Sequence, residues 1–375
     1  MNGYWYGSYD GTNRGQMVVE LDDSGDHFSG CAYLYDDDPS KPGTFAGIRT
    51  PNKERSQRLD VVLLPLHPVN LAPTDWQQIK DQFPNANFPT TAQVNCEWTD
   101  HGFTLAWKTN IGTSGTASLP RGRAVEPSEY VSKPNTTWAQ FKERILTLGH
   151  YRYMFRGQEQ PWRLRTPFHR TGRGDMHRFF QVDVQTLRRH LSAHTSHFFD
   201  FRDDIQHAAF LHLIQHHGYP TPLLDWTYSP FVAAYFAYRK ARSLGAGVAM
   251  PAVRVFAFDK ETWCYDFAQI YNIWDRRPHF SILEPVSIEN ERMVPQQALS
   301  TFSSVDDIET YITFVERTKE KSYLEVFDLP LDEREHVLQE LRLMGISAGS
   351  MFPGLEGACE ELRERFFKPQ SSEKR

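Results

Sequence analysis

The chain has 375 residues, 40% of them hydrophobic and 14% aromatic, enough apolar material for two packed domains and too much for a disordered polymer. Its net charge of −6 gives no overall basic character, which argues against nucleic acid as the main partner. Cys31, Cys96, Cys264 and Cys359 lie far apart with no CxxC pair, which disfavours a zinc ribbon and a disulfide scaffold and suits a reducing cytoplasm. The N-terminus has no basic-then-apolar leader, and the longest apolar run, Val61 to Leu71, is broken by Pro65, His67 and Pro68. The expectation is a cytoplasmic protein with no membrane partner.

Residues 1–125 read as an all-β sandwich or small barrel. Tyr4 to Tyr6, Gln16 to Leu21, Leu59 to Leu64, Gln93 to Trp98 and Phe103 to Lys108 have strand character, with turns at Asp10-Gly11, Ser24-Gly25, Pro42-Gly43 and Ser114-Gly115 between them. The Gly-aromatic run Gly3 to Tyr9 reads as packed β-core. Fourteen acids against ten bases through residue 125 disfavour DNA binding there, and leave recognition of a protein target or trigger as the expected role.

Residues 126–136 are polar, carry two prolines and read as a linker. A mixed α/β domain follows over 137–367, so the fold class is α+β, with a frayed tail at 368–375. Thr137 and Gln140 form a capping box for a helix that Gly149 stops. Tyr151 to Phe155 predicts a strand that presents Arg156 and Gly157 at its tip. Between Tyr151 and His190 there are nine arginines, no lysine and three acids, a pattern suited to planar phosphate or carboxylate partners or to ion pairs within the domain.

Asp203 or Asp204 caps the next helix, closed by Gly218, and Pro220-Thr221-Pro222 is a stiff connector. Ser229-Pro230 starts another helix, running to about Arg242. Thr221, Asp225, Trp226, Thr227 and Ser229 then fall in a polar loop between two apolar helices, a suitable place for a binding site. Val253 to Phe258 and Leu324 to Leu329 read as strands, 259–290 as irregular, Asp332 with Glu335 as a cap for a helix reaching Gly345, and the stretch around Cys359, Leu362 and Phe366 as a last amphipathic helix.

Seven histidines fall between His190 and His217, with helical spacing at His212 and His216. No HExxH glutamate accompanies that pair, so no metal is expected. GxxxxGK[ST] and GxGxxG are both missing, and Thr171 to Asp175 reads as an ordinary turn. The remaining candidate is distributed: Arg156 and Gln158 at a strand tip, Thr221, Asp225 and Ser229, and Arg292 with Gln296 and Gln297. That set is rich in donors, holds one carboxylate and suits a nucleotide-like anion.

At these residues the chain resembles a known family. Phe155-Arg156-Gly157-Gln158 with Trp162, Leu164 and Arg170, then Gln215 to Gly218, Pro220 to Thr227, Ala233 to Ala237, Arg292, Gln296, Gln297, Gly345-Ile346 and Phe352-Pro353 look like the FRG domain, over roughly residues 137–367. Ala298 and Ser300 depart from it, where glycine and phenylalanine are usual. The resemblance implies a role in anti-phage defence or a toxin-like system. The order of its motifs is similar to that of ADP-ribosyltransferases, which implies an ADP-ribosyltransferase-like fold and NAD as substrate. On that basis Arg156 would hold the pyrophosphate or ribose, and Gln158, His216, Trp226, Thr227, Ser229, Tyr235, Arg292 and Gln296 would line the pocket with Thr221. Gln297 takes the position of the late catalytic residue but carries no charge, while Asp225 and Glu356 carry charge at other places in the order. Two functions follow: an NAD-dependent transferase or NAD-cleaving enzyme, and a non-catalytic sensor of a nucleotide or phosphate. Nucleic acid held by the arginines of 151–190 ranks behind both.

Overall fold

In a computed structural model, which describes residues 1–132, 136–149, 151–241 and 252–367, the alternating pattern of the first third closes on itself. Eight antiparallel strands follow one another around a closed barrel: β1 (Gly3–Gly11), β2 (Gly15–Asp23), β3 (Phe28–Asp36), β4 (Thr44–Arg49), β5 (Ser56–Pro65), β6 (Thr91–Trp98), β7 (Gly102–Thr109) and β8 (Ser114–Pro120). The long β5–β6 connection carries a single helical turn, α1 (Trp76–Ile79). A barrel has no free edge, which is how a run of short strands avoids edge-to-edge pairing. β5 shows the period-two logic directly: Leu59, Val61 and Leu63 face inward and are buried, while Val62 stays 65% exposed.

β2 is buried on both faces, because Val18, Glu20 and Asp22 point outward onto the rest of the molecule. The joint is polar as well as apolar. The Asp22 carboxylate accepts from the backbone N–H of Gly174 (2.8 Å) and Asp175 (3.0 Å) and from Arg173 Nε (2.7 Å). The Thr171 to Asp175 turn therefore does wrap an anion, and the anion is a barrel side chain. Beside it Glu20, fully buried, lies 3.6 Å from the buried Arg276. Burial pushes the Glu20 carboxyl up to about 8, with Arg276 opposing the shift.

The second unit is built on a six-stranded sheet, every neighbouring pair antiparallel. Its strands are β9 (Tyr153–Gln158), β10 (Leu223–Thr227), β11 (Ala252–Asp259), β12 (Phe280–Leu283), β13 (Ala298–Ser303) and β14 (Leu324–Pro330), in the order β12-β13-β10-β9-β11-β14. Helices α2 (Trp138–Leu146), α3 (Pro167–Arg170), α4 (Met176–Arg178), α5 (Val184–Leu191), α6 (Asp204–His216), α7 (Pro230–Arg239), α8 (Lys260–Asp266), α9 (Ile308–Lys319), α10 (Arg334–Leu343), α11 (Ala348–Met351) and α12 (Leu355–Phe366) surround it. The first third is thus the barrel, the whole is α+β, and among the described residues no helix is long and apolar enough to cross a membrane.

The caps read from the sequence at Thr137, Asp203 and Ser229 form as expected, and Gly218 takes φ 89° after α6. Four readings change. Asp225 to Thr227 lie on strand β10, not in a loop, because Leu223, Leu224 and Trp226 are needed in the core. Residues 259–290 hold α8 and β12. The helix after β14 starts at Arg334 with no side-chain cap, since Glu333 instead accepts from the backbone N–H of Trp138 (2.7 Å). The described part of the 126–136 linker is docked: Ser128 Oγ donates to Glu309 (2.8 Å) and Tyr130 Oη to Glu316 (2.8 Å). The tail expected to fray, 368–375, lies outside the described residues.

Candidate functional site

The two central strands, β9 and β10, share one registered pair, Phe155 with Thr227. Beyond it their backbones are no longer laddered, and a cleft of about 370 Å³ opens there, bordered by Arg156 to Glu159 on one side and Asp225 to Thr227 on the other. Unpaired backbone within a sheet needs other partners. Arg156 provides one: its guanidinium reaches across and Nη1 donates to the carbonyl of Asp225 at 2.6 Å.

Three consecutive residues of β9 divide the work. Phe155 is buried in the core with α7. Gly157 lies so close to α7 that a Cβ there would sit 1.8 Å from the Ala233 carbonyl oxygen, so no side chain fits. Arg156 lines the cleft, and its Nε is buried without a hydrogen-bond partner. Burial, then the nearby Arg170, then opposed by Asp225, brings the guanidinium down to about 10. It remains a cation at neutral pH, held without a carboxylate contact among the described residues. Arg170 borders the same cleft and donates to Gln158 Oε1 at 3.0 Å.

Opposite stands Asp225. Its Oδ1 is fixed by Gln215 Nε2 and lies 3.4 Å from Ser300 Oγ, and Gln215 is itself held by Thr221 Oγ1. Thr221 is fully buried and so acts through Gln215 rather than on a ligand. Ser300, one of the two departures from the expected pattern, supplies a donor that phenylalanine could not. Oδ2 has no partner among the described residues, and the side chain is 41% exposed.

His212 and His216 stand one helical turn apart on α6 beside this carboxylate. Their free ligand atoms and that of Asp225 lie within 4.8 Å of one another, the spacing of a metal centre. Asn290 argues against one. Its amide meets Nδ1 of His216 at 2.8 Å and Nδ1 of His212 at 3.2 Å. One contact needs a protonated Nδ1 and the other a bare one, so whichever way the amide is turned, one Nε2 carries a proton. A cation would find two donors, too few for a tetrahedral site. As placed, the protonated Nε2 belongs to His212, which faces Asp225 Oδ1 at 3.9 Å and is lowered to about 4 by burial. The bare Nε2 belongs to His216, the half-buried member that borders the cleft.

Of the residues singled out in the sequence, Arg156, Gln158, His216, Asp225, Trp226, Thr227, Arg292 and Gln296 border the cleft together. Trp226 turns its indole away, with Nε1 donating to Thr301 Oγ1 at 3.1 Å. Thr227 donates to the Gln296 carbonyl (2.7 Å) and Gln296 to that of Met351 (2.8 Å), so both brace the wall. Arg292 is committed to the His216 carbonyl (2.8 Å) and Glu356 (3.0 Å). The rest stand outside. Ser229 caps α7, Tyr235 is buried in the core with α7, Gln297 is exposed at φ 45°, and Glu356 sits on the rim holding Arg292. The reading that drew Ser229 and Tyr235 into the pocket is thus replaced by structural roles. Arg170, Gln215, Phe236 and Phe352, named in the sequence only within the family motifs, also border it, and Asn290, not named there, holds His216. Asn290 had no signal, lying in a stretch with no periodicity.

The cleft's first wall and α6, β10 and α7 all fall within a recognised segment. Residues 151–245 match the FRG domain family. The match is shorter than the span suggested by the motifs, so Arg292, Gln296 and Phe352 reach the cleft from beyond the matched FRG segment. No curated protein and no solved structure matches the chain.

Proposed function

We propose that the FRG cleft binds NAD and cleaves its bond to nicotinamide, as an ADP-ribosyltransferase-like or NAD-cleaving effector. One observation carries the reading: an arginine with a buried, unpartnered Nε and a carboxylate with a free oxygen face the same cleft. Arg156 and Arg170 supply donors for the pyrophosphate. As the C1′–N bond breaks, its electron pair moves onto the nicotinamide nitrogen and positive charge develops on the ribose, where Asp225 stabilises it. An oriented charge of this kind typically contributes about 10²–10³ in rate. The bare Nε2 of His216 is placed to take the proton from an attacking water or acceptor hydroxyl. The cellular role in this reading is anti-phage defence or a toxin-like system, with the barrel meeting the target or trigger.

The test is release of nicotinamide, or label transfer, from NAD labelled in its adenylate. Asp225→Asn should abolish product while retaining NAD binding, and Arg156→Ala should abolish both. A wild-type protein that yields neither product with a candidate target present ends the catalytic reading. A non-catalytic sensor is favoured by one feature, the commitment of Asp225 Oδ1 to Gln215 and Ser300. It predicts nucleotide binding that Arg156→Ala removes, with no product under any condition.

A further inference from the structure

The barrel is hollow. A cavity of about 240 Å³ lies inside it, walled by inward-facing residues of the strands. An eight-stranded barrel is just wide enough for side chains to fill it or for one small ligand to take their place. Here the choice is made at three positions where β3, β4 and β6 point alanine inward: Ala32, Ala46 and Ala92. The remaining wall is apolar, including Leu59, Val61, Leu105 and the ring of Trp107, which meets Tyr9 edge-on at 5.8 Å. Along its apolar lining such a void forfeits dispersion contacts that a matching apolar guest restores.

The two ends differ. At one, Met1 closes the cavity and its carbonyl accepts from Trp5 Nε1 at 2.8 Å. At the other, the lining turns polar: Asn13, Lys41, Asp36, Thr109 and Thr113 border the cavity where the β1–β2, β3–β4 and β7–β8 turns meet. Lys41 is already bonded to Asn13 (2.7 Å) and paired with Asp38 (3.5 Å), and Asp36, Asp37 and Asp38 stand together in the β3–β4 turn region. Among the described residues that mouth offers hydrogen bonds but no free cation, so it does not recruit an anionic head group.

We propose that the barrel cavity is a binding site for a compact, uncharged apolar molecule of one or two rings, with a single polar group at the Asn13–Lys41 mouth. The volume lies between the ~150 Å³ apolar cavity that takes up benzene and the ~300–1,000 Å³ of drug-sized sites. The site is separate from the FRG cleft and does not depend on the function proposed there. It also lies behind strands whose outer faces meet the FRG unit, since Tyr33 and Phe45 contact His177.

Calorimetric titration of the full chain with 2-naphthol, and with naphthalene-2-sulfonate, decides it. The expected result is saturable one-to-one binding of 2-naphthol and at least tenfold weaker binding of the sulfonate. Ala46→Phe fills the void and should abolish binding, as should the smaller filling Ala92→Leu if the first variant fails to fold. Val62→Phe, on the outer face, should bind as the wild type does. No saturable binding of 2-naphthol, undiminished binding by a folded filled variant, or equal affinity for the sulfonate would each overturn the proposal.

Discussion

The sharpest test of how the cleft between β9 and β10 is held open is Gly157→Ala. A Cβ at position 157 would lie 1.8 Å from the Ala233 carbonyl oxygen and 2.7 Å from the Ala237 amide nitrogen. Both are backbone atoms of α7, so no rotamer change relieves the overlap, and strand and helix must move apart by more than an ångström. Ala233, Ala234 and Ala237 are fully buried in that seam, so the separation strips contacts from the core that also holds Phe155. Overpacking of a well-filled core costs about 1–3 kcal/mol, and a wholly backbone clash belongs at the upper end. Gly47→Ala is the control, because nothing lies within 4 Å of its added Cβ. Its effect should stay within about 0.5 kcal/mol. Urea unfolding followed by circular dichroism reads the difference, with nucleotide binding measured alongside, since displacing β9 also displaces Arg156. A loss below about 1 kcal/mol at unchanged m-value would show that β9 and α7 are not in the tight contact from which the glycine's role is argued.

Other variants probe the buried charges. Arg156→Met should leave stability unchanged or raise it by up to about 1 kcal/mol, because it removes a poorly compensated buried cation; a loss above ~2 kcal/mol in thermal unfolding would make the arginine structural. Glu20 tests the joint through pH. Its folded value near 8 exceeds the usual 4.5, so the native state keeps a proton that the unfolded chain has lost, and stability falls as pH rises through that window. Asp175, raised by burial to about 6, adds to the same slope. Glu20→Gln should flatten the fall in urea titrations and match the wild type near the acid end; a wild-type stability that climbs with pH there would refute the assignment. Asp22→Ala strands the two backbone donors of Gly174 and Asp175 and should cost about 2–3 kcal/mol, read as separation of a single unfolding transition into two.

Local signals in the sequence carried the elements well where one residue type has one physical use. Ser229-Pro230, Thr137 with Gln140, and Gly218 each mark a helix end, and each does so in the fold. β10 reads as a loop in the sequence because Pro220, Pro222 and Asp225 look like loop chemistry, while the strand's real determinant is non-local: it is flanked by β9 and β13 and must bury Leu223, Leu224 and Trp226. Closure of the barrel, as opposed to a sandwich, depends on β1 meeting β8 through Tyr9 to Gly11, a pairing over a hundred residues apart that no window detects.

The arginine surplus between 151 and 190 shows why the site was only half legible. Arg152 pairs with Asp259, Arg163 with Asp307, Arg165 with Asp306 and Arg173 with Asp22, four carboxylates from distant parts of the chain. Arg188 lies over the rings of Phe198 and Phe201. A local count of charge sees none of these partners, so it overstates the positive surface offered to nucleic acid. What separates Arg156 from its neighbours is position rather than composition. It follows the one residue that joins β9 to β10 and precedes the one glycine that lets α7 close over β9. A guanidinium there points into the split between two central strands, where its contact among the described residues is a backbone carbonyl. Removing only the arginine of a buried ion pair strands its carboxylate and is costly, whereas Arg156 has no carboxylate contact among the described residues to strand, which is why its exchange for methionine should cost little.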